Sequence, residues 1–142
     1  MKELLITGAW RCGEQQVQAL EQMGYAVTFW PDERQAVNMD TQRFEAVICG
    51  GLFLTTPIER FPALKCIQVT SAGLDRVPLH YCKAHGITVY NAGAVYSAPM
   101  AEFVLGGILQ LYKESKFFAE NQAAHRLSLI HISEPTRHLR IS

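Results

Sequence analysis

The residues with the most chemical promise lie in the run Val69-Thr70-Ser71-Ala72-Gly73-Leu74-Asp75. A glycine just beyond a parallel strand lets successive backbone N–H groups point outward together, forming a small nest for an anion. Ligands of open α/β sheets bind at such strand ends. A strand–glycine–helix turn also occurs without a ligand, so the run alone names no reaction. Other reactive residue types are scattered. Cys12, Cys49, Cys66 and Cys82 are 37, 17 and 16 positions apart, with no C-x-x-C pair, whereas a zinc ribbon or a redox dithiol needs two sulfurs at one centre. They read as reduced, mostly buried small hydrophobes. His80 and His85 flank a surface helix, and His125 stands outside any catalytic pattern; all three read as ordinary surface residues. Gly50-Gly51 and Gly106-Gly107 both miss the G-x-G-x-x-G spacing that cradles a pyrophosphate.

The elements that must position the Ser71–Gly73 run follow from hydrophobic periodicity. Residues 3–8 are a short apolar run stopped by glycine, a buried strand. Val17, Leu20 and Met23 repeat at helical spacing between Gly13 and Gly24, with Gly24 placed to end the helix. Tyr25–Trp30 alternates and runs into Pro31-Asp32, a second strand. A weaker helix is expected over Glu33–Met39, strands over Glu45–Cys49 and Leu64–Thr70, and a helix from an Asp75 cap to Ala84, closed by Gly86. Ile87–Tyr90 is the fifth strand, ended by Asn91-Ala92-Gly93. Strands alternating with helices imply βαβ units, hence an α/β fold with a parallel sheet. The expected order is flavodoxin-like, 2-1-3-4-5, with helices on both faces.

Residues 97–126 then read as one long helix. Pro99 would sit in its first turn, and Phe103, Val104, Leu105, Ile108, Leu109, Leu111 and Tyr112 give apolar side chains around much of its circumference. About 28 residues would span roughly 42 Å, so the helix should reach past residues 1–96 and want a cover from another domain or subunit. A break at Gly106-Gly107 is the competing expectation. The longest apolar stretch, Met100–Tyr112, contains Glu102 and is shorter than the roughly 20 residues of a membrane span; no membrane helix is expected.

The chain has 142 residues, 13 Lys plus Arg against 13 Asp plus Glu, with 49% hydrophobic and 18% charged residues. The balanced charge argues against nucleic acid and membrane surfaces as partners, and the apolar content suffices for a packed core. The first residues, MKELLITGAW, lack the apolar core and cleavage site of a secretory signal. With the cysteines read as reduced, a cytoplasmic location is expected. Residues 127–137, LSLIHISEPTR, resemble the translation of a sequencing-library adapter. Residues 127–142 are therefore expected to be a non-native tail, and His131 and His138 carry no functional weight.

Three blocks, FPALKCIQVTSAGLD, HGITVYNAG and YSAPMAEFVLGGILQLYK, together resemble the D-isomer-specific 2-hydroxyacid dehydrogenases over about residues 60–126. The resemblance implies a substrate-binding, flavodoxin-like domain over 1–96 and an interdomain or dimerisation helix over 97–126. In such enzymes hydride passes between NAD or NADP and C2 of a small 2-hydroxy or 2-keto acid. It further implies that the amides of Ala72 and Gly73 hold the substrate carboxylate and that Tyr96 reaches the substrate pocket. Met100 would face the cofactor, Glu102 would begin the long helix as a structural acid, and Asn91–Gly93 would form a hinge. A homodimer is the implied assembly.

The family's arginine, glutamate and histidine, the last acting as general acid/base, lie beyond a nucleotide fingerprint that this sequence lacks. The chain is thus expected to be a fragment, ending before the nucleotide domain and inactive alone. The alternative is a stand-alone flavodoxin-like binding or interaction module without catalysis. A response receiver would need acids where strands one and three end in Gly8-Ala9-Trp10 and Cys49-Gly50, and a flavodoxin a hydroxyl-rich phosphate loop, which TGAWRCG is not.

Overall fold

A computed structural model of the chain describes residues 1–126. The expected non-native tail, 127–142, lies outside the described residues. The elements are β1 (Lys2–Thr7), α1 (Glu14–Gln22), β2 (Tyr25–Trp30), β3 (Ala46–Cys49), β4 (Cys66–Val69), α2 (Leu79–Ala84), β5 (Thr88–Tyr90), α3 (Gly93–Tyr112) and α4 (Ser115–Ala123), with short 3-10 turns at Leu52–Leu54 and Ile58–Arg60. The chain divides into two units, Met1–Ser97 and the residues from Ala98 onward.

In the first unit the five strands form one parallel sheet in the order β2-β1-β3-β4-β5. This is the flavodoxin-like order expected from the alternation of apolar runs and glycine stops. Crossovers between parallel strands are right-handed. The β1–α1–β2 and β4–α2–β5 connections run in opposite directions across the sheet, which puts α1 and α2 on opposite faces.

The strand register sorts the two faces. Leu5, Val47, Ile67 and Val89 are aligned neighbours, and they join Phe44, Leu52, Phe61 and Val69 in the main core. Burying each large apolar side chain contributes about 1.5–3 kcal/mol before chain entropy is counted. The opposite face carries the aligned row Ile6, Ile48, Gln68 and Tyr90. Its exposure rises along the row, from a buried Ile6 to an exposed Tyr90. Helix α1 buries no residue completely: Val17 and Leu20 are half-buried, but Met23, expected on the same stripe, is 74% exposed. Gly24 (φ +89°) and Gly86 (φ +69°) turn in the left-handed region after the first two helices, as their helix-ending positions predict.

Three expectations are corrected. Glu33–Met39 is not a helix but a loop, because its polar groups have better partners elsewhere. Asp32 Oδ1 accepts from Arg34 N at 3.0 Å, Val37 N donates to Thr56 Oγ1 at 3.0 Å, and the Val37 side chain is buried. The helix expected from Asp75 starts only at Leu79. Pro78 disfavours helical geometry in the residue before it and has no N–H of its own, so Asp75 is not its cap.

The long helix is present, but it begins earlier and ends earlier than 97–126. α3 starts at Gly93, which places Pro99 inside it rather than in its first turn; Pro99 has no N–H to offer the carbonyl of Val95. Gly106 and Gly107 remain helical. The break comes instead at Glu114, left-handed with φ 50°, after which α4 begins. Neither helix buries any residue. Because α3 begins at Gly93, it is 20 residues long with a mean hydropathy of 1.3, sufficient by length and composition to cross a membrane. Glu102 sits mid-helix, where an acid costs about 2.5–3.5 kcal/mol at a bilayer centre.

Candidate functional site: the carboxyl edge of the sheet

The ends of β3, β4 and β5 meet at one edge of the first unit. Thr70 N continues the ladder to Cys49 O at 2.9 Å, and the chain then turns through Ser71, Ala72 and Gly73. Four consecutive carbonyls in this turn are occupied. Tyr96 Oη donates to Thr70 O (2.9 Å), Ala92 N to Ser71 O (3.0 Å), Asn91 Nδ2 to Ala72 O (2.7 Å) and Ser71 Oγ to Gly73 O (2.9 Å). The N–H groups of Ala72 and Gly73 donate to no acceptor among the described residues, and both residues are exposed. The carbonyls are tied back and two successive amides are left unpartnered, which is what an anion-binding turn requires. A Cβ on Gly73 would lie 2.8 Å from Asp75 Oδ1, so any other residue there displaces the Asp75 carboxylate.

The neighbouring end of β3 is built differently. Gly50 N and Gly51 N donate to Glu33 Oε1 and Oε2 at 2.8 and 2.5 Å, and Thr7 Oγ1 at the end of β1 also donates to Glu33 Oε1. Below it, the Cys49 thiol is pushed up to about 12, first by burial and then by the Glu33 charge. This makes Cys49 an inert core residue rather than a nucleophile. Cys66 and Cys82 are likewise raised by burial, and all four cysteines are free.

Of the residues singled out from sequence, Ala72, Gly73 and Tyr96 are brought together at this edge, joined by Asn91. Met100 belongs to the second unit, where it is 63% exposed on α3, and Glu102 is exposed on the same helix. His80, His85 and His125 are exposed; His85 stacks on Tyr81 with ring centroids 3.8 Å apart. No group of three metal-ligating side chains occurs among the described residues. Sequence reasoning missed Glu33, because its partners are distant in sequence and nothing local marks it. It also missed the carbonyl ties from Ser71 and Asn91.

The family described as D-isomer specific 2-hydroxyacid dehydrogenase, catalytic domain, matches residues 5–139. The chain belongs to that family. The fold is shared with two solved dehydrogenases. D-lactate dehydrogenase from Aquifex aeolicus, in complex with NAD and lactic acid, superposes with a TM-score of 0.64 at 21% identity, over 88% of this chain and 38% of that one. The NADPH-dependent glyoxylate/hydroxypyruvate reductase from Sinorhizobium meliloti, in complex with NADP and malonate, gives 0.62 at 19% identity, over 90% and 41%. A glyoxylate/hydroxypyruvate reductase of Arabidopsis thaliana is 32% identical over 68 residues, which are 47% of this chain and 21% of that protein. The chain thus spans under half the length of each of these relatives.

Proposed function

We propose that the chain is the substrate-binding part of an NAD- or NADP-dependent D-2-hydroxyacid dehydrogenase, and that its substrate is a small 2-hydroxy or 2-keto acid held by the carboxylate. The observation that carries this reading is the pair of unpartnered amides at Ala72 and Gly73, in a turn whose carbonyls are all tied back. Two backbone N–H groups aimed at one carboxylate form charge-assisted hydrogen bonds, stronger than neutral ones. Tyr96 positions the cradle through Thr70 O and presents its ring at the same edge.

The described residues do not themselves fit a nicotinamide dinucleotide. They hold no glycine-rich turn of pyrophosphate spacing, and the amides of the Gly50-Gly51 pair are already taken by Glu33. Met100 is the one residue here assigned toward the cofactor, as an apolar contact. The chain alone is expected to be inactive. Assembly as a homodimer would cover the apolar surface of α3.

The test is a titration of the ¹⁵N-labelled chain with glycolate. The Ala72 and Gly73 amide resonances should move together and saturate, and Gly73→Val should abolish the response while leaving the fold intact. NADH with glyoxylate should give no turnover by the chain alone. Shifts confined to other regions, with Ala72 and Gly73 silent, would overturn the substrate reading in favour of an interaction module.

A further inference from the structure

The end of β3 is a second anion nest, and its ligand is part of the chain. Both oxygens of Glu33 are engaged: Oε1 by Thr7 Oγ1 and Gly50 N, Oε2 by Gly51 N. Gly50 is tightly surrounded, by Ala9 as well as by this carboxylate, whereas Gly51 has ordinary room beside it. A Cβ on Gly50 would come within 3.3 Å of Glu33 Oε2 and of Thr70 Oγ1, and one on Gly51 within 3.6 Å of Oε2. Glu33 is half-buried, and its carboxylate is held at the end of β3, next to the β4 end from which the Ala72–Gly73 turn departs.

We propose that Glu33 is a specificity-determining residue: by occupying the Gly50–Gly51 nest it confines the substrate to a single anionic group, bound at Ala72–Gly73, with an uncharged remainder. The proposal rests on the carboxylate-cradle reading above. Cys49 and Val69 are register partners on adjacent parallel strands, which lie about 4.8 Å apart. The two strand ends therefore lie side by side, and a Cβ on Gly50 would stand 3.3 Å from Thr70 Oγ1, two residues before Ala72. A second carboxylate placed there meets the fixed Glu33 charge and finds the amides that would have held it already donating. Like charges at such separations disfavour each other's ionised forms. Asp75, whose Oδ1 lies 2.8 Å from where a Cβ on Gly73 would stand, adds a second negative charge beside the cradle. The nearby cation is Arg76, whose Cδ would lie 3.7 Å from a Cβ on Gly51. Arg76 makes no ion pair among the described residues, so it does not displace Gly50 and Gly51 from the Glu33 carboxylate.

The experiment compares glycolate with tartronate, its analogue bearing a second carboxylate, by amide-shift titration of the ¹⁵N-labelled chain as wild type, Glu33→Ala and Glu33→Gln. In the wild type, tartronate should bind no more tightly than glycolate, with Gly50 and Gly51 unmoved. In Glu33→Ala the preference should swing toward tartronate by about tenfold or more, as two charge-assisted bonds become available, and the Gly50 and Gly51 amides should respond. Glu33→Gln keeps an acceptor for the loop but removes the charge, so a smaller swing in the same direction is expected even if the alanine variant does not fold. An unchanged tartronate-to-glycolate ratio in the folded variants overturns the proposal, as does tartronate moving Gly50 and Gly51 in the wild type. Silence at Ala72 and Gly73 in all three proteins, with Gly50 and Gly51 responding in Glu33→Ala, removes the substrate reading while keeping the β3 nest.

Discussion

Phe44 and Phe103 carry the same side chain into opposite settings: Phe44 is 0% exposed in the core of the first unit, Phe103 83% exposed on α3. The contrast extends to whole regions. Around the sheet, Leu5, Val47, Leu52, Phe61 and Ile67 find one another within the first unit. Along α3, Val104, Leu105, Ile108, Leu109, Leu111 and Tyr112 remain exposed. One region completes its own packing, whereas the other carries an apolar surface that its own unit leaves uncovered. Such a surface is what a subunit interface needs.

The sharpest way to break this contrast is to truncate both phenylalanines. Phe44→Ala should lower the unfolding free energy by about 3–5 kcal/mol in urea titrations, while Phe103→Ala should change it by less than about 0.5 kcal/mol. Equal losses would mean that α3 is packed as tightly as the core. The next effect is on association. Replacing Leu105, Ile108 and Leu111 together by Gln should weaken self-association at least about tenfold, roughly 1.4 kcal/mol, in sedimentation experiments, with the urea midpoint of the first unit unchanged. A chain already monomeric at tens of micromolar (roughly the range where exposed apolar surface associates) would remove α3 as a dimer surface.

A smaller effect lies in alkali. The Cys49 thiol, whose ordinary value is 9.0, is raised to about 12 by burial and by Glu33. The folded state holds this proton more tightly than the unfolded chain does. Stability from this group is therefore complete below pH 9 and lost as pH rises from 9 towards 12. Cys49→Ala should flatten that alkaline loss, and at pH 8 the native Cys49 thiol should resist iodoacetamide until the chain is unfolded. The smallest effect belongs to the surface pairs. Lys65, 2.6 Å from Glu45, holds that carboxyl below its usual range through a hydrogen bond, and Arg34 does the same for Asp32. Both carboxylates are solvated. Lys65→Ala should shift Tm by no more than about a degree, and any loss should appear above the carboxylate range and vanish as acid protonates Glu45.

The parallel sheet was legible because its signals are local: apolar runs of strand length, each stopped by glycine or proline, with helical spacing between the first two. The turn through Ala72 and Gly73 was legible for a similar reason, as a glycine stands four residues past the end of β4. What escaped depends on partners far along the chain. Nothing near Glu33 reveals that it will bind Thr7 and the Gly50-Gly51 amides, so its segment passed for a weak helix. Nothing near Ala72 reveals that Asn91 will take its carbonyl. The α3 boundary was misplaced because Asn91-Ala92-Gly93 has the composition of a loop, yet Ala92 N already donates to Ser71 O and the helix starts directly after it. Pro78 was the readable signal that the Asp75 cap overlooked.

Gly8 is the residue that lets β1 leave the sheet beside the outermost strand. Its N–H donates to Trp30 O at 2.9 Å, and a Cβ there would land on the Pro31 carbonyl oxygen. The last rung between the two strands is thus fastened by the lack of a methyl group. A residue with no side chain to lose therefore guards the sheet margin against drift, and an alanine, the mildest replacement in most positions, would be among the harshest at this one.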